Sequence, residues 1–335
     1  MNNYQQFLIR FKRNKRGLVS FFILSSIFLI SLFAEFIAND KPLLIKFKDQ
    51  YFFPIFQNIS EVQLGGELLS EADYRDPLVK QLINDNGWMI MPIIPFSFDT
   101  INLAINSPAP SPPSAENLFG TDDQGRDLLA RLIYAIRISL IFALLLSFFT
   151  IIIAITIGAI QGYFAGIVDL MIQRFIEIWS SLPMMFLLII LSALIVVNFF
   201  SLLIIMLLFS WIGLSQYVRG EFLRLRNFEF ILASRALGAS SFRIIFRHIL
   251  PNASVVIIAN LAFLIASSLT TLSALDFLGF GLPVGSPSLG EILNQGKNNL
   301  HAYWLGLVGF FSLTILLSTL VFIGEALRDG FDSRK

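Results

Sequence analysis

The side chains that carry chemistry are few in this chain and stand far apart. There is no cysteine, which removes disulfides, thiol nucleophiles and thiolate metal sites together. The two histidines, His248 and His301, are too distant in sequence to favour a histidine zinc site. A phosphate-cradling loop would read G-x-x-x-x-G-K-[ST]. The nearest approach, GEILNQGKN at 290–298, has the wrong spacing and ends in asparagine. Neither G-x-S-x-G nor H-E-x-x-H occurs, and the apolar runs lack the paired aspartates of an intramembrane protease. The expectation is therefore no catalytic residue, no metal and no cofactor. What remains is polar residues in apolar surroundings. These are Asp169, Arg174 and Glu177, a hydroxyl stripe (Ser267, Ser268, Thr270, Thr271, Ser273) and an arginine-rich stretch at 219–251.

The elements that position these residues are membrane spans. The chain is 56% hydrophobic and only 14% charged, where soluble domains carry about a quarter charged residues. Its net charge of +1 implies no nucleic-acid partner. Six apolar runs are long enough to span, at 18–38, 136–163, 178–197, 199–218, 254–275 and 303–323. The first is longer than a signal-peptide core and lacks a small-x-small site before Asn39-Asp40, so it reads as an uncleaved span. Arg10, Lys12, Arg13, Lys15 and Arg16 precede it without an acid, which places the N-terminus in the cytoplasm. Six spans put both termini there, and alternation places 219–251 on the same side. The six arginines of that stretch, against two glutamates, agree independently.

The long segment 39–135 holds 13 acidic and 7 basic residues, which fits the outer side. Its part 54–106 reads as either an ordered cap or a mobile insertion. The run SPAPSPPS at 107–114 is a stiff extended connector. At 120–134, GTDDQGRDLLARLIY, Thr121 or Asp122 would cap a helix with Leu128, Leu129, Leu132 and Ile133 on one face. Arg126, Asp127 and Arg131 would lie on the other, so the helix is expected to rest on the outer membrane surface. Gly158, Gly162 and Gly166, four apart, are expected to let helices approach closely. Pro183 is placed in the first turns of the third span, as a kink. The hydroxyl stripe reads equally as pathway lining or as cross-helix hydrogen bonding. The 276–302 stretch reads as an outer loop, and 325–335 as a polar tail.

Within 219–251 a helix at 228–237 is closed by Gly238, a residue suited to the left-handed cap. Ser240 or Ser241 starts a second helix with Phe242, Ile245 and Phe246 as apolar positions, and Pro251 ends it before the fifth span. A short helix joined rigidly to spans at both ends can transmit a push from a cytoplasmic partner. A merely positive loop that fixes sidedness is the simpler reading.

The spacing resembles the EAA loop, E-A-A-x3-G-x9-I-x-L-P, of binding-protein-dependent ABC importers. Aligned on Gly238 and Pro251, its first three positions fall on Leu232, Ala233 and Ser234, and its last four on His248, Ile249, Leu250 and Pro251. Ala233, Gly238, Leu250 and Pro251 match; Leu232, Ser234 and His248 depart. RALGASSFRIIFRHILPN at 235–252 and GTDDQGRDLLARLIYAIRISL at 120–140 are similar to the peptide/nickel branch of that family. ADYRDP at 72–77, RFIEIWS at 174–180, LDFLGFGLP at 275–283 and SPSLGEILNQGKNNL at 286–300 resemble one permease subunit of this family, whose long outer insertion shorter dipeptide permeases lack. The likeness covers nearly the whole chain, the long insertion included.

The resemblance implies an all-α, six-span permease subunit of a type I ABC importer in a bacterial inner membrane. Its parts would be 1–38 (cytoplasmic start and first helix), 39–135 (periplasmic insertion), 136–327 (permease core) and 328–335 (cytoplasmic tail). Implied partners are a second permease subunit, ATP-binding subunits that hydrolyse the nucleotide, and a periplasmic solute-binding protein. Implied cargo is oligopeptides, including peptide-nucleotides of the microcin C type. ATPase coupling would fall to Ala233, Ser234, Arg235, Gly238, Ala239, Leu250 and Pro251. Gly120, Thr121, Asp122, Gly125, Arg126 and Asp127 form the interfacial motif, and Ser267, Ser268, Thr270 and Thr271 are candidates for the pathway. A secondary transporter would be expected to show inverted repeats and charged or broken spans at mid-membrane, neither of which is evident. A membrane-bound scaffold or receptor is the non-transport alternative.

Overall fold

A computed structural model describes residues 7, 10–105, 107–195 and 197–331. Residues 332–335 of the expected tail and Val196 of the expected third span lie outside the described residues. The fold is predominantly helical. Among the described residues five helices are long and apolar enough to cross a membrane: α1 (Lys15–Leu32), α4 (Leu128–Phe164), α7 (Phe199–Leu225), α9 (Ser241–Leu278) and α11 (Tyr303–Phe331). A bent pair, α5 (Gly166–Ser180) and α6 (Met184–Leu194), supplies a sixth when counted as one span. The other helices are α2 (Ala34–Ile37), α3 (Pro77–Asn86), α8 (Glu229–Ala236) and α10 (Leu289–Asn298). The chain divides into two compact units, one of 1–25, 139–284 and 313–335, the other of 26–138 and 285–312.

In the first unit the third span departs from expectation. Instead of one helix over 178–197, α5 and α6 meet at a bend of 67°. Pro183 is the N-cap of α6 rather than a kink inside a helix. Proline lacks the N–H, and its ring pushes the preceding residue out of helical conformation, so the chain turns at 181–183. α6 alone has 11 residues, about 16 Å, too short to cross the hydrocarbon core. Asn198 then caps α7, its side chain accepting from the N–H groups of Phe200 and Ser201.

Gly158 and Gly162 do permit close packing. A side chain at Gly158 would stand 2.6 Å from the Ser215 carbonyl, and one at Gly162 would strike Phe222. Gly166 does not share that face. α4 ends at Phe164, and Gly166 takes a positive φ of 55° with open space around it, starting α5.

Pro251 likewise does not end a helix. The chain is helical from Ser241 to Leu278, with a π-helical stretch at Ile244–Ile249. Leu250 donates its N–H to the Ile245 carbonyl, five residues back. Pro251 has no N–H to donate, so the wider turn before it forgoes a hydrogen bond that could not form. Asn252 Nδ2 donates to the His248 carbonyl at 2.7 Å. α9 and α11 both outrun the expected spans; the segment read as a polar tail from 325 is helical to Phe331.

In the second unit the insertion is ordered and carries a three-stranded antiparallel sheet, in the order β2 (Gln50–Phe52), β1 (Leu44–Phe47), β3 (Gly87–Ile90). α3, begun by Pro77 with Asp76 as cap, packs on it over a core of Ile45, Phe47, Ile59, Leu64, Val79 and Ile83. Lys48 and Asp49 both take positive φ (45° and 64°) in the β1–β2 turn, the geometry of a two-residue hairpin. The expected 276–302 loop contains α10, capped by Ser288, whose side chain accepts from the Glu291 N–H.

Candidate functional site

Two clusters of polar or strategic residues stand out, one in each unit. In the first, α8 is built as its sequence dictates. Gly238 has φ +78°. Its N–H donates to the Arg235 carbonyl (3.0 Å) and that of Ala239 to the Ser234 carbonyl (3.1 Å). This paired pattern closes the helix with a left-handed residue at the position where glycine costs least. Ser240 caps the following helix through the Arg243 N–H.

The inner face of this loop is continuous with the core of the spans. Ile231, Ile244 and Ile249 are fully buried in one cluster with Trp211, Val218 and Phe222. Ala239 and Leu250 pack against the same cluster. The outer face is apolar and uncovered in the chain: Phe230, Leu232, Phe242 and Phe246 are exposed, and Leu237 is 88% exposed. Phe242 and Phe246, two of the expected apolar positions, are exposed, their rings tilted by 38° with centroids 4.4 Å apart. In the π-helical stretch, with hydrogen bonds reaching five residues back, Ile244 and Ile249 come toward one face, and both are buried. Ala233 and Arg235 are exposed, and Ser234 Oγ donates within its helix to the Phe230 carbonyl. Pro251 is exposed.

Tyr163, at the end of α4, is a tie that sequence reasoning missed. Its hydroxyl donates to Ser241 Oγ (3.1 Å), its carbonyl accepts from Arg226 Nη1 (3.2 Å), and the Arg235 guanidinium lies 5.5 Å from its ring centroid. One residue thus holds α7, α8 and α9 to the second span. A bidentate ion pair of Arg219 with Asp169, both contacts 2.6 Å, joins α7 to α5. Arg174 pairs with Glu177 at 2.6 Å within α5. An aromatic in an apolar run gives no sign of such a role, since its partners come from segments distant in sequence.

The second cluster corrects the surface-helix expectation. The segment 120–127 is a loop, and the helix starts at Leu128 with the Asp127 carboxylate accepting from the Ala130 N–H at 2.7 Å. Asp122 does not cap it. Fully buried, Asp122 accepts from the N–H groups of Gln124 and Arg126 and forms ion pairs with Arg126 (2.6 Å) and Arg131 (3.2 Å). Arg131, also fully buried, donates to the carbonyls of Phe98, Gly285 and Ser286. Asp127 also accepts from Asn117, which accepts in turn from Asn102. Burial pushes the Asp127 carboxyl above the usual range, against the opposing pull of the Asn117 and backbone hydrogen bonds. Thr121 bonds to Ser111 through Oγ1, and its carbonyl accepts from Trp304 Nε1. At Gly120, φ +79°, a Cβ would come within 2.6 Å of the Ser111 carbonyl. Gly125 also takes φ +79°.

One member of the hydroxyl stripe reaches across to another helix. Ser268 is buried, with Oγ 3.4 Å from Ser147 Oγ on α4. Ser267 and Thr270 are exposed, Thr271 half-buried, and the two threonines return their hydroxyls to carbonyls of their own helix. Among the described residues no group of acids and histidines is placed to hold a metal ion.

Among the described residues, the apolar helices with a short capped helix between α7 and α9 define a multi-pass membrane protein. The chain belongs to the family of binding-protein-dependent transport system inner membrane components, whose pattern matches residues 154–335. Residues 2–56 match the N-terminal transmembrane domain of oligopeptide transport permease C. The inner membrane ABC transporter permease protein YejE of Escherichia coli (strain K12) is 53% identical over 326 residues, covering 97% of this chain and 96% of that protein. The peptidoglycan transport system permease protein YejE of Agrobacterium fabrum is 49% identical, covering 97% and 91%. The dipeptide transport system permease protein DppC of Lactococcus lactis subsp. cremoris is 30% identical, covering 97% and 89%. Among solved structures, an inward-facing MetNI methionine ABC transporter matches with a TM-score of 0.51 at 17% identity, over 61% of this chain and 98% of that one. That likeness shows the fold, a type I importer permease. The chain is therefore a multi-pass inner-membrane permease, and its relatives are transport components.

Proposed function

We propose that this permease lines half of a pathway for oligopeptides and is driven through 219–251 by a separate ATPase. The observation that carries the proposal is the two-faced α8: an inner face built into the core of the spans, and an outer face of exposed apolar residues beside arginines. An ATP-binding subunit with an apolar groove would cover the outer face, and movement of α8 would be felt by α4 and α7 through Tyr163. A rigid-body shift of that kind switches access between the two sides of the membrane. The cargo class follows the relatives named for dipeptides, oligopeptides and peptidoglycan, and extends to peptide-nucleotides of the microcin C type. In this reading both termini and 219–251 are cytoplasmic, and 39–135 and 276–302 meet a periplasmic binding protein. The partners are YejB-like, YejF-like and YejA-like. Ser267 and Thr270, exposed on α9, face the pathway. The 120–127 loop holds the outer part rigid.

The tagged chain expressed with its neighbours is expected to copurify with a second permease and an ATP-binding subunit. Added binding protein with peptide is then expected to raise ATP turnover in the reconstituted complex. Transport by the chain alone, or a complex whose ATP turnover ignores peptide, would contradict the proposal.

A further inference from the structure

The first and last apolar helices frame a feature that coupling and transport leave unused. α1 and α11 touch at Gly17, where a side chain would strike Ala326 and come within 3.3 Å of the Phe322 carbonyl. Beside this contact lies a groove of 540 Å³ between the two helices. Its walls are Val19 and Ile23 on α1 and Ile315 and Phe322 on α11, each of them at least 40% exposed. Lys15 and Arg16 stand at one end. Arg16, Val19 and Ile23 follow the i, i+3, i+7 spacing of one helix face, so cation and apolar wall form a single strip about 12 Å long.

The charge at that end is lopsided. Arg10, Lys12, Arg13, Lys15 and Arg16 gather within seven residues. The acids nearest on α11 are Glu325 and Asp329, and Asp329 already accepts from Asn14 Nδ2. Among the described residues Lys12, Arg13, Lys15 and Arg16 form no ion pair.

We propose that this groove binds an anionic phospholipid, one acyl chain lying along Val19, Ile23, Ile315 and Phe322 and the phosphodiester held by Lys15 and Arg16. Both walls belong to helices that cross the bilayer, so their exposed apolar side chains meet hydrocarbon. Lys15 and Arg16 are exposed at the end of the groove, where they would meet an anion at headgroup depth, and basic pockets between spans recognise such headgroups. A packed helix from another subunit would satisfy the apolar walls and leave both cations without counter-charge.

The test uses the full chain with its copurifying subunits, reconstituted in phosphatidylethanolamine doped with phosphatidylglycerol. The lipid retained per chain is read by native mass spectrometry. Wild type is expected to retain phosphatidylglycerol selectively. The K15Q/R16Q pair is expected to hold it about 30-fold more weakly, on the order of fivefold per cation removed, with phosphatidylethanolamine retention unchanged. Ile315→Trp fills the groove with both charges intact, and is also expected to lose the selective lipid. Equal phosphatidylglycerol retention in wild type and both variants would overturn the proposal. So would efficient cross-linking of an Ile315→Cys chain to another subunit, which would show a protein in the groove.

Discussion

A Gly238→Pro chain is expected to insert into the membrane normally, yet to lose peptide-stimulated ATP turnover by tenfold or more. The residue sits at φ +78°, and its N–H closes α8 on the Arg235 carbonyl. Proline fixes φ near −65° and has no N–H, so the native turn loses both its conformation and a hydrogen bond. The cost, about 3 kcal/mol or more, lowers the population of the native turn on the order of a hundredfold. Nothing within 4 Å of Gly238 would be struck by a small side chain, so the effect arises from the backbone and not from packing. Gly238→Asn provides the control. Asparagine tolerates the left-handed region, and most of the stimulated turnover is expected to survive. Normal turnover in the proline chain would show that the turn does not position α8 for its partner.

Asp122→Ala is expected to be the most destabilising single change in the insertion, by about 3–5 kcal/mol. Asp122 is the shared counter-charge of Arg126 and Arg131, and all three are buried. Removing it leaves two guanidinium groups with charge they cannot solvate. Asp122→Asn keeps an acceptor for the Gln124 and Arg126 N–H groups and is expected to lose less. Replacing Asp122 and Arg131 together by leucine and methionine is expected to recover part of the loss, because the uncompensated charge goes with its partner. Thermal unfolding and protease resistance of the purified chain measure all three. A drop below about 0.5 kcal/mol for Asp122→Ala would show that water reaches the site and that the ion pairs are surface-like.

Much of the membrane part is legible in the chain itself, because apolar length is a local property. The α8 helix and its Gly238 cap follow from residues within one turn of each other. The bent third span is less legible. Pro183 announces a break, but the turn also needs Gly166 to start α5, a residue that spacing had assigned to α4. The π segment hides for a related reason: periodicity assumes 3.6 residues per turn, so Ile244 and Ile249, five apart, do not read as one buried face.

The 120–131 cluster fails differently. Charged residues on an amphipathic pattern read as solvated, and the partners that hold them buried are distant in sequence: the carbonyls of Phe98, Gly285 and Ser286 for Arg131, and Asn117 for Asp127. The β1–β2 hairpin has no Asn-Gly or Asp-Gly signal, since Lys48 and Asp49 adopt the turn without glycine.

The coupling claim is tested most directly by placing a photo-cross-linking amino acid at Leu237, the most exposed apolar residue of the α8 turn. In the assembled complex, a cross-link to the ATP-binding subunit is expected, with a yield that changes when ATP is bound. Cross-linking confined to lipid or to the second permease, unaltered by nucleotide, would contradict it.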